Sequence, residues 1–358
     1  MISTNKLIHL FQFVILVCLL QGNTQNVVHC YFCKEIIKSK YIIVDSKAFH
    51  QEHFLCKSCN KPITGSFTRK DENYFHPECF SQIVGLVCEY CKKIIQGEYL
   101  VNENKKYHKL CFENFVVPKC AVCKSPLVGE YREDIYHNKY HAYHSRDLYI
   151  CDCCDRIICD AITNGGKTYN DGRHICNICY SSAIFDQKQF EKLLEKVSFK
   201  LNTFGMNFNL NSIKIKGVDK NVLRNAAKIF TESTQGYCQS ETTGNYLNER
   251  LISQKIMHTI FVLNWIPSLH IESIIAHELA HAWIYEKGKK NLSPKTLEGS
   301  CNFVSYTYLK STGQSVAYEI IKMIELDPDP NYGKGFLEIR DKFGYKQFSD
   351  FLAFLRNN

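Results

Sequence analysis

The sequence contains no long block of charge of one sign and, after its first 24 residues, no apolar run of membrane length. Its 358 residues include 44 Lys and Arg against 36 Asp and Glu, and the formal net charge of +8 is spread along the chain. Nucleic-acid-binding domains concentrate basic residues on one face or helix, and a spanning helix needs about 20 consecutive apolar residues. These absences argue against a nucleic-acid-binding protein and against a membrane domain downstream of the N-terminus.

Cysteine is scarce in the second half of the chain, where only Cys238 and Cys301 occur, and abundant in the first. Of the 19 cysteines, 16 lie between Cys30 and Cys179. Such a density is typical of a region organised by disulfides or by metal ions. The change of composition near residue 183 predicts a domain boundary there.

The N-terminal residues resemble a secretory targeting segment. Lys6 is followed by the apolar run LIHLFQFVILVCLL and then by polar QGNTQN. A run of about 14 residues fits the apolar core of a signal peptide better than a membrane span. We therefore expect residues 1–24 to be a signal peptide and the protein to be secreted or extracytoplasmic. An uncleaved membrane anchor and a buried helix are the alternatives.

Pairs of Cys or His separated by two residues recur through the first half in a regular order. Two consecutive pairs form a tetrad. From the end of the first pair to the start of the second there are 17 positions in three tetrads, and 18 and 22 positions in the other two. A two-residue gap lets a turn aim two side chains at one ion, and the intervening stretch is long enough for a hairpin such as IIVDSKAFH or GEYLVNENKKYH. Five consecutive repeats predict about five structural zinc ions. The predicted ligand tetrads are Cys30, Cys33, His50 and His53; Cys56, Cys59, His76 and Cys79; Cys88, Cys91, His108 and Cys111; Cys120, Cys123, His141 and His144; and Cys151, Cys154, Cys176 and Cys179.

A disulfide framework is the alternative, because cysteines of secreted proteins usually pair. It does not explain the histidines at alternating positions, and pairs only two residues apart are poorly suited to long-range bridges. Cys153 and Cys159 fall outside the tetrads and are expected to be packed thiols. His29 and His137 lie beside ligand pairs and are alternative ligands.

Residues 30–79 resemble a LIM domain, in which two zinc tetrads share a two-residue junction, here within HQEHFLCKSC. Residues 88–144 resemble a second one, although eight residues separate Cys111 from Cys120. The resemblance implies small zinc modules that bind protein partners. We predict a LIM domain at 28–82, a LIM-like domain at 86–146 and an additional zinc-binding element at 149–182.

From about residue 185 the pattern becomes mainly helical. DQKQFEKLLEKVSFKL and KNVLRNAAKIFTE each place apolar residues on one helical face, whereas HTIFVLNWIP is typical of a strand. We expect the strand at 259–263 to lie at a sheet edge, where it could align an extended peptide. A helix is predicted from Ile271 to Glu286, ending at Gly288.

This predicted helix contains HELAH, with His277 and His281 one turn apart and Glu278 beside the first. Both imidazoles point the same way, as two zinc ligands must, and the carboxylate is placed to accept a proton from a metal-activated water. The apolar neighbours SIIA and AW favour a buried helix, where these polar side chains are costly unless paired. Ile284 and Lys287 stand where a metzincin would continue its motif, so that class is excluded.

The segment NLSPKTLEGSC supplies a third ligand. Ser293 can cap a following helix, Pro294 suits its first position, and Glu298 falls in its first turns. Glu298 also lies 17 positions after His281, which leaves room for a reversing loop. It is therefore the predicted third ligand of one catalytic zinc ion, although an acid at a helix N-terminus is favoured by the helix dipole alone.

Three C-terminal stretches, IPSLHIESIIAHELAHAW, LSPKTLEGSC and DPDPNYGKGF, resemble the plant ubiquitin-activated LIM-domain peptidases that restrict organ size. CDCCDRIICDA and DGRHICNIC resemble the last zinc element of that family, and the likeness extends over about residues 86–350. It implies a gluzincin-type zinc peptidase with His277 and His281 as ligands, Glu278 as acid/base and Glu298 as third ligand. No ubiquitin-interacting motif is visible, so ubiquitin activation is not inferred.

The predicted architecture is multidomain, with small zinc-stabilised β-rich LIM modules preceding a mainly helical, α+β zincin-like metallopeptidase domain at 185–358. The expected reaction is hydrolysis of protein substrates, in which Tyr332, Tyr306 or His270 stabilises the oxyanion. The expected partners are protein substrates and proteins that bind the LIM modules, with no nucleic acid and no small-molecule cofactor. The alternative function is a non-catalytic LIM scaffold whose HELAH zinc is structural or lost.

Overall fold

A computed structural model describes residues 16–18, 27–95, 98–247, 250–289 and 291–357. The chain divides into two compact units. The first comprises the residues up to Lys119 together with Ser125–Val128, and the second comprises Cys120–Lys124 and the chain from Gly129 onward. Three of the predicted tetrads belong to the first unit. The other two belong to the second, together with the helical half of the chain.

Most strands of the described residues belong to short hairpins, and the two longest lie in the C-terminal half. The strands are β1 (Leu16–Cys18), β2 (Tyr41–Val44), β3 (Lys47–His50), β4 (Thr68–Lys70), β5 (Asn73–Phe75), β6 (Tyr99–Asn102), β7 (Lys105–His108), β8 (Tyr131–Glu133), β9 (Lys139–His141), β10 (Gly166–Thr168), β11 (His174–Cys176), β12 (Ile213–Val218), β13 (Gly236–Leu247) and β14 (Arg250–Leu263).

In the part of the chain that the structure describes, the long helices lie after the last zinc tetrad. The α-helices of the described residues are α1 (Pro77–Ile83), α2 (Lys109–Cys111), α3 (His144–Asp147), α4 (Asp160–Thr163), α5 (Asn177–Tyr180), α6 (Gln187–Thr203), α7 (Lys220–Ala226), α8 (Ser268–Lys287), α9 (Pro294–Thr312), α10 (Val316–Leu326), α11 (Gly335–Phe343) and α12 (Phe348–Asn357). Short 3₁₀ turns occur at Gln51–His53 and Leu210–Ser212, and π-helical turns at Phe112–Val116 and Pro330–Lys334.

Each zinc-ligand tetrad is built around one two-stranded antiparallel hairpin. β2 pairs with β3, β4 with β5, β6 with β7, β8 with β9 and β10 with β11. Tight turns of the first unit use two consecutive residues with positive φ, such as Asp45 (49°) and Ser46 (61°), or Glu103 (49°) and Asn104 (63°). This is the backbone of a type I′ turn, which matches the right-handed twist of the two strands. The predicted hairpins IIVDSKAFH and GEYLVNENKKYH are confirmed.

The apolar N-terminal run is a strand, and not a secretory helix, where the structure describes it. Leu16–Cys18 form β1, which pairs antiparallel with β2 in the register Leu16↔Ile43 and Cys18↔Tyr41. The flanking residues 1–15 and 19–26 lie outside the described part of the chain. Leu16–Cys18, toward the end of the run, pair as a strand, and nothing in the described part of the chain supports the predicted signal peptide or anchor over residues 1–24 or a secreted or membrane-anchored location, so these predictions are wrong. Within the described residues, no helix combines the length and the apolar character needed to cross a membrane.

The C-terminal half contains a three-stranded sheet in the order β12-β14-β13. β12 runs parallel to β14 and β13 runs antiparallel to it, with Ile213 opposite His258 and Gly236 opposite Val262. Ile260 and Val262 of β14 are fully buried, as expected for the central strand. The prediction that the strand at 259–263 lies at the sheet edge is therefore wrong, and β13 is an edge strand instead.

Helix α8 is packed against this sheet and against helices α6 and α9, and most of its residues are buried. The Glu272 carboxylate lies 2.7 Å from Lys196 Nζ and 2.6 Å from Tyr308 Oη. Ser273 Oγ lies 2.7 Å from Ser305 Oγ on α9. Buried polar groups are stable only when they are hydrogen-bonded, and these bonds fix α8 relative to α6 and α9.

Helix α9 begins where the sequence predicts it. Ser293 Oγ accepts a hydrogen bond from the Thr296 N–H at 3.2 Å, and Pro294 is the first helical residue. One turn later, α9 crosses the start of α11 at a pair of glycines. A Cβ added to Gly299 would overlap the backbone of Gly335, so this close approach requires glycine. The crossing holds the segment before α11 beside the first turns of α9.

The fifth tetrad shares the hydrophobic core of the C-terminal half. Its four cysteines are at most 4% exposed and belong to one buried cluster with Phe190 of α6. Arg173 is also buried, and it binds Asp171 on one side and the Asn264 carbonyl oxygen, at 2.9 Å, on the other. Asn264 and Trp265 form the turn from β14 into α8. The last zinc element therefore supports the helix that carries HELAH.

Candidate metal centre

All five predicted tetrads converge in the structure. Within each, one donor atom from every residue lies within 4.8 Å of the others. Cys33 Sγ is 3.5 Å from His50 Nδ1, His50 Nδ1 is 3.2 Å from His53 Nδ1, and Cys154 Sγ is 3.7 Å from Cys176 Sγ. Zinc bonds of about 2.0–2.1 Å to nitrogen and 2.3 Å to sulfur place neighbouring ligands of a tetrahedron about 3.3–3.8 Å apart. The donor sets therefore fit zinc.

The residues named as alternative ligands have other partners. His29 Nδ1 lies 3.0 Å from the carbonyl oxygen of Lys34, and His137 Nδ1 lies 2.8 Å from Glu133 Oε1. Cys153, which stands between two ligands of the fifth tetrad, is 1% exposed. It is packed, as expected for a thiol outside the tetrads.

A sixth donor set lies between helices α8 and α9. His277 and His281 occupy successive turns of α8, and Glu298 lies in the second turn of α9. His277 Nε2 is 3.2 Å from both His281 Nε2 and Glu298 Oε2, and His281 Nε2 is 3.3 Å from Glu298 Oε2. These distances agree with the spacing of about 3.3 Å expected for nitrogen and oxygen ligands around one zinc ion. Burial alone would raise the pKa of Glu298, but its contacts with the two histidines hold the pKa well below its usual value.

Asn302 orients the first histidine from the same helix that supplies the carboxylate. Its Oδ1 accepts a hydrogen bond from His277 Nδ1 at 2.8 Å. This bond leaves Nε2 as the unprotonated nitrogen that faces the other two donors. The Nδ2 of Asn302 donates to the carbonyl oxygen of Tyr332 at 3.3 Å, so the same side chain also holds the segment before α11.

The carboxyl group of Glu278 is buried beside these donors, under the first residues of β13. Only 5% of the residue is exposed, and the backbone N–H of Cys238 opposes the rise of its pKa. A Cβ added to Gly236 would come within 2.6 Å of Glu278 Oε1, so glycine leaves the room that the carboxyl group occupies. Burial raises the pKa of Glu278 to about 7, with His277 opposing the rise and the charge of Glu298 adding to it.

Tyr332 is the one predicted oxyanion-stabilising residue that contacts the sixth donor set. Its ring stacks on that of His277, with centroids 6.0 Å apart. Burial, and then the charges of Glu298 and Glu278, raise the pKa of Tyr332 well above its usual value. The phenol therefore keeps its proton at neutral pH and can donate a hydrogen bond.

The structure places Tyr306 and His270 away from the sixth donor set. The Tyr306 ring packs against Phe303 and Phe336, with centroids 5.9 and 5.4 Å apart. His270 is buried two helical turns before His277 and interacts with Cys153 of the last zinc element. Both residues pack around the centre and do not line it.

Sequence reasoning missed Asn302 and the β13 residues that cover Glu278. Asn302 lies four residues after Glu298, a spacing that brings two side chains to one face of a helix, and this was the available signal. Gly236 and Cys238 gave no local signal, because their position over Glu278 depends on the long-range pairing of β13 with β14.

The chain matches two families of domains along different segments. The LIM domain family matches residues 30–82 and 88–138, and the DA1-like family, described as Protein DA1, matches residues 223–321. The protein thus combines LIM domains with a DA1-like domain, which is the combination of the LIM-domain peptidase family that the sequence resembles. The LIM domains and the Cys/His clusters show that the protein binds multiple zinc ions.

Curated plant proteins show the same similarity. Protein DA1-related 1 of Arabidopsis thaliana is 29% identical over 310 residues, which cover 79% of this chain and 51% of that protein. LIM domain-containing protein HDR3 of Oryza sativa subsp. japonica is 30% identical over 187 residues, 44% of this chain and 36% of that protein. Protein DA1 of Arabidopsis thaliana is 27% identical over 186 residues, with shares of 44% and 34%. The chain spans about half or less of the length of these relatives, and nothing in them supports the secreted location expected from residues 1–24.

Proposed function

We propose that residues 185–358 form a zincin-like zinc peptidase domain that cleaves protein substrates, and that the LIM modules bind protein partners. The observation that carries the proposal is the convergence of His277, His281 and Glu298 at zinc-ligand spacing, beside the buried carboxyl group of Glu278. A purely structural zinc site does not need a carboxyl group such as that of Glu278, which is not one of the three donors. The similarity to LIM-domain peptidases supports the same activity.

His277, His281 and Glu298 would hold the ion. When bound, zinc supplies Lewis acidity that lowers the pKa of a water molecule and polarises a peptide carbonyl. Glu278, whose carboxyl group is buried beside these donors, accepts the proton that the attacking water loses and then donates it to the amine leaving group. Tyr332 donates a hydrogen bond to the carbonyl oxygen as negative charge develops on it.

The edge strand β13 favours binding of an extended peptide. Within the described residues, β13 pairs with β14 on one side and has no strand on the other. A substrate that pairs with this edge through its backbone would lie next to the strand residues that cover Glu278. The reactive carboxyl group and the peptide backbone would then meet at the start of β13.

Replacement of Glu278 by Gln tests the proposed chemistry. Gln keeps the shape of the side chain but cannot accept a proton. We therefore expect cleavage of casein, or self-cleavage, to fall roughly 100-fold or more. Zinc content, measured by plasma emission spectroscopy, should stay at the wild-type value. Glu195→Gln, at an exposed position of α6, is the matched control and should retain the wild-type rate.

Two outcomes would contradict the proposal in different ways. Unchanged proteolysis by Glu278→Gln would remove this carboxyl group from the mechanism. Full zinc occupancy without proteolysis in the wild type would support the non-catalytic LIM scaffold instead, with the sixth donor set holding a structural ion.

A further inference from the structure

A cavity of about 300 Å³ opens on the second unit between α9, the end of α6 and the segment that joins α11 to α12. Its volume is at the lower end of the range of about 300–1,000 Å³ for small-ligand pockets, which suits one large side chain. Half of the ten residues that line it are aromatic. The aromatic residues are Phe204, Phe303, Tyr306, Phe343 and Phe348.

The aromatic lining is partly open to solvent. Phe303 and Phe343 are buried beneath the cavity, whereas Phe204, Tyr306 and Phe348 are half-buried. The Phe204 and Phe348 rings are 5.6 Å apart between centroids, so they form a continuous surface. Partly exposed aromatic surface in a concave site is a typical anchor for an apolar side chain.

Lysines surround these rings without acidic partners. Lys310 Nζ lies 5.2 Å from the centroid of Tyr306, Lys346 Nζ 5.3 Å from that of Phe343, and Lys200 Nζ 5.4 Å from that of Phe204. In the described part of the chain, none of these ammonium groups forms an ion pair, and no Asp or Glu lines the cavity. Each of these ammonium groups lies over the ring of an aromatic side chain and is available to pair with an anion.

We propose that this cavity binds an acidic segment of a partner protein. An aromatic or large aliphatic side chain of the partner enters between the rings, and the carboxylates on either side of it pair with Lys310 and Lys346. Charge complementarity selects this occupant, since the site offers cations at its rim and apolar surface at its base. None of the residues that line the cavity is a metal donor, and Lys310 lies 12 residues after Glu298, about 18 Å along α9, so binding at the cavity rim does not require peptidase activity.

Peptide binding to the zinc-loaded full-length chain tests this site. The chain carries Glu278→Gln so that the peptide is not cleaved. The probe is a short fluorescein-labelled peptide with one Phe flanked by Asp and Glu, and binding is read by fluorescence anisotropy. We expect Lys310→Glu combined with Lys346→Glu to weaken binding roughly tenfold or more, because charge-assisted bonds are lost. Replacing the peptide Phe by Ala, or its acids by their amides, should weaken binding to a similar degree.

The matched control reverses two lysines elsewhere on the same domain. Lys188→Glu combined with Lys192→Glu changes the net charge equally at exposed positions of α6 and should leave the affinity within about twofold. The site is ruled out if the wild type does not bind the probe, if the control pair weakens it equally, or if the Ala peptide binds as tightly. Equal competition by a single-stranded oligonucleotide would show a general anion-binding surface and would also overturn the proposal.

Discussion

The hydrogen bond from His277 Nδ1 to Asn302 Oδ1 fixes both the tautomer and the ring orientation of the first histidine. Neither Glu298 nor Tyr332 replaces it, because Glu298 contacts Nε2 and Tyr332 stacks on the face of the ring. At the residue scale, the geometry of the metal centre therefore depends on a side chain that is not itself a ligand.

We expect Asn302→Ala to lower the zinc affinity of the sixth donor set by about 10–100-fold, as is usual when a residue that orients a ligand is removed. Zinc per chain, measured after dialysis against graded chelator concentrations, should show one ion leaving earlier than in the wild type. Asn302→Asp keeps an acceptor for His277 and should lose less affinity. Identical release curves for wild type and Asn302→Ala would contradict the orienting role.

Glycine determines how the elements around the centre pack. Helix α9 supplies Glu298 and Asn302, and the π-helical turn before α11 supplies Tyr332. The two segments approach so closely that Gly299 and Gly335 have no room for a Cβ. The helix crossing therefore explains why EGSC has glycine at position 299 and YGKGF has glycine at position 335.

Gly299→Ala should therefore destabilise the fold although alanine is the better helix former. The added methyl group meets backbone, which has no rotamer to relieve the overlap, and we expect a loss of about 1–3 kcal/mol in the free energy of unfolding. Urea denaturation followed by circular dichroism measures it. Ser300→Ala is the neighbouring control, because the buried Ser300 hydroxyl has no hydrogen-bond partner among the described residues and its removal should cost little. Equal stability of the two variants would contradict this account.

Local sequence signals were sufficient for the elements that carry the metal donors. The cap at Ser293 and the apolar surroundings of HELAH predict α9 and α8, and the observed Ser268–Lys287 extends the predicted helix by a few residues. KNVLRNAAKIFTE, in contrast, stays helical only as far as Ala226, because the chain must turn there to reach β13. β13 itself, GYCQSETTGNYL, has little apolar alternation, so its pairing with β14 could not be predicted from its own residues.

The N-terminal run shows a second limit of sequence patterns. A short apolar stretch satisfies the requirements of a signal-peptide core and of a strand equally, and periodicity cannot separate the two. Pairing with Tyr41–Val44 distinguishes them for Leu16–Cys18, and such a contact depends on residues far along the chain.

At the scale of the whole molecule, the zinc clusters differ in what they stabilise. The tetrad of Cys56 belongs to the first compact unit, whereas the tetrad of Cys176 lies in the core that also contains α6 and α8. Both tryptophans of the chain, Trp265 and Trp283, are in the second unit. Tryptophan fluorescence therefore reports unfolding of that unit alone.

We expect Cys176→Ser to lower the stability reported by tryptophan fluorescence by more than about 2 kcal/mol, because loss of a structural metal exposes the core it holds. Cys56→Ser removes an equally buried ligand from the first unit and should leave the fluorescence transition in urea unchanged. The shared core would be contradicted if both variants gave the wild-type midpoint.

Trp265 adopts a left-handed backbone conformation, with φ at 60°, in the turn that leads into α8. For so bulky a residue this conformation costs about 1–3 kcal/mol and persists only when its surroundings hold it. Tyr169 of the last zinc element contributes, with its hydroxyl 3.3 Å from the Trp265 carbonyl oxygen and its ring packed edge-on at 4.7 Å. Because the coupling between two sites is reciprocal, the free energy by which bound zinc stabilises this turn equals the free energy by which the turn strengthens zinc binding. A separate peptide of residues 149–182 should accordingly hold zinc less tightly than the same residues do in the intact chain.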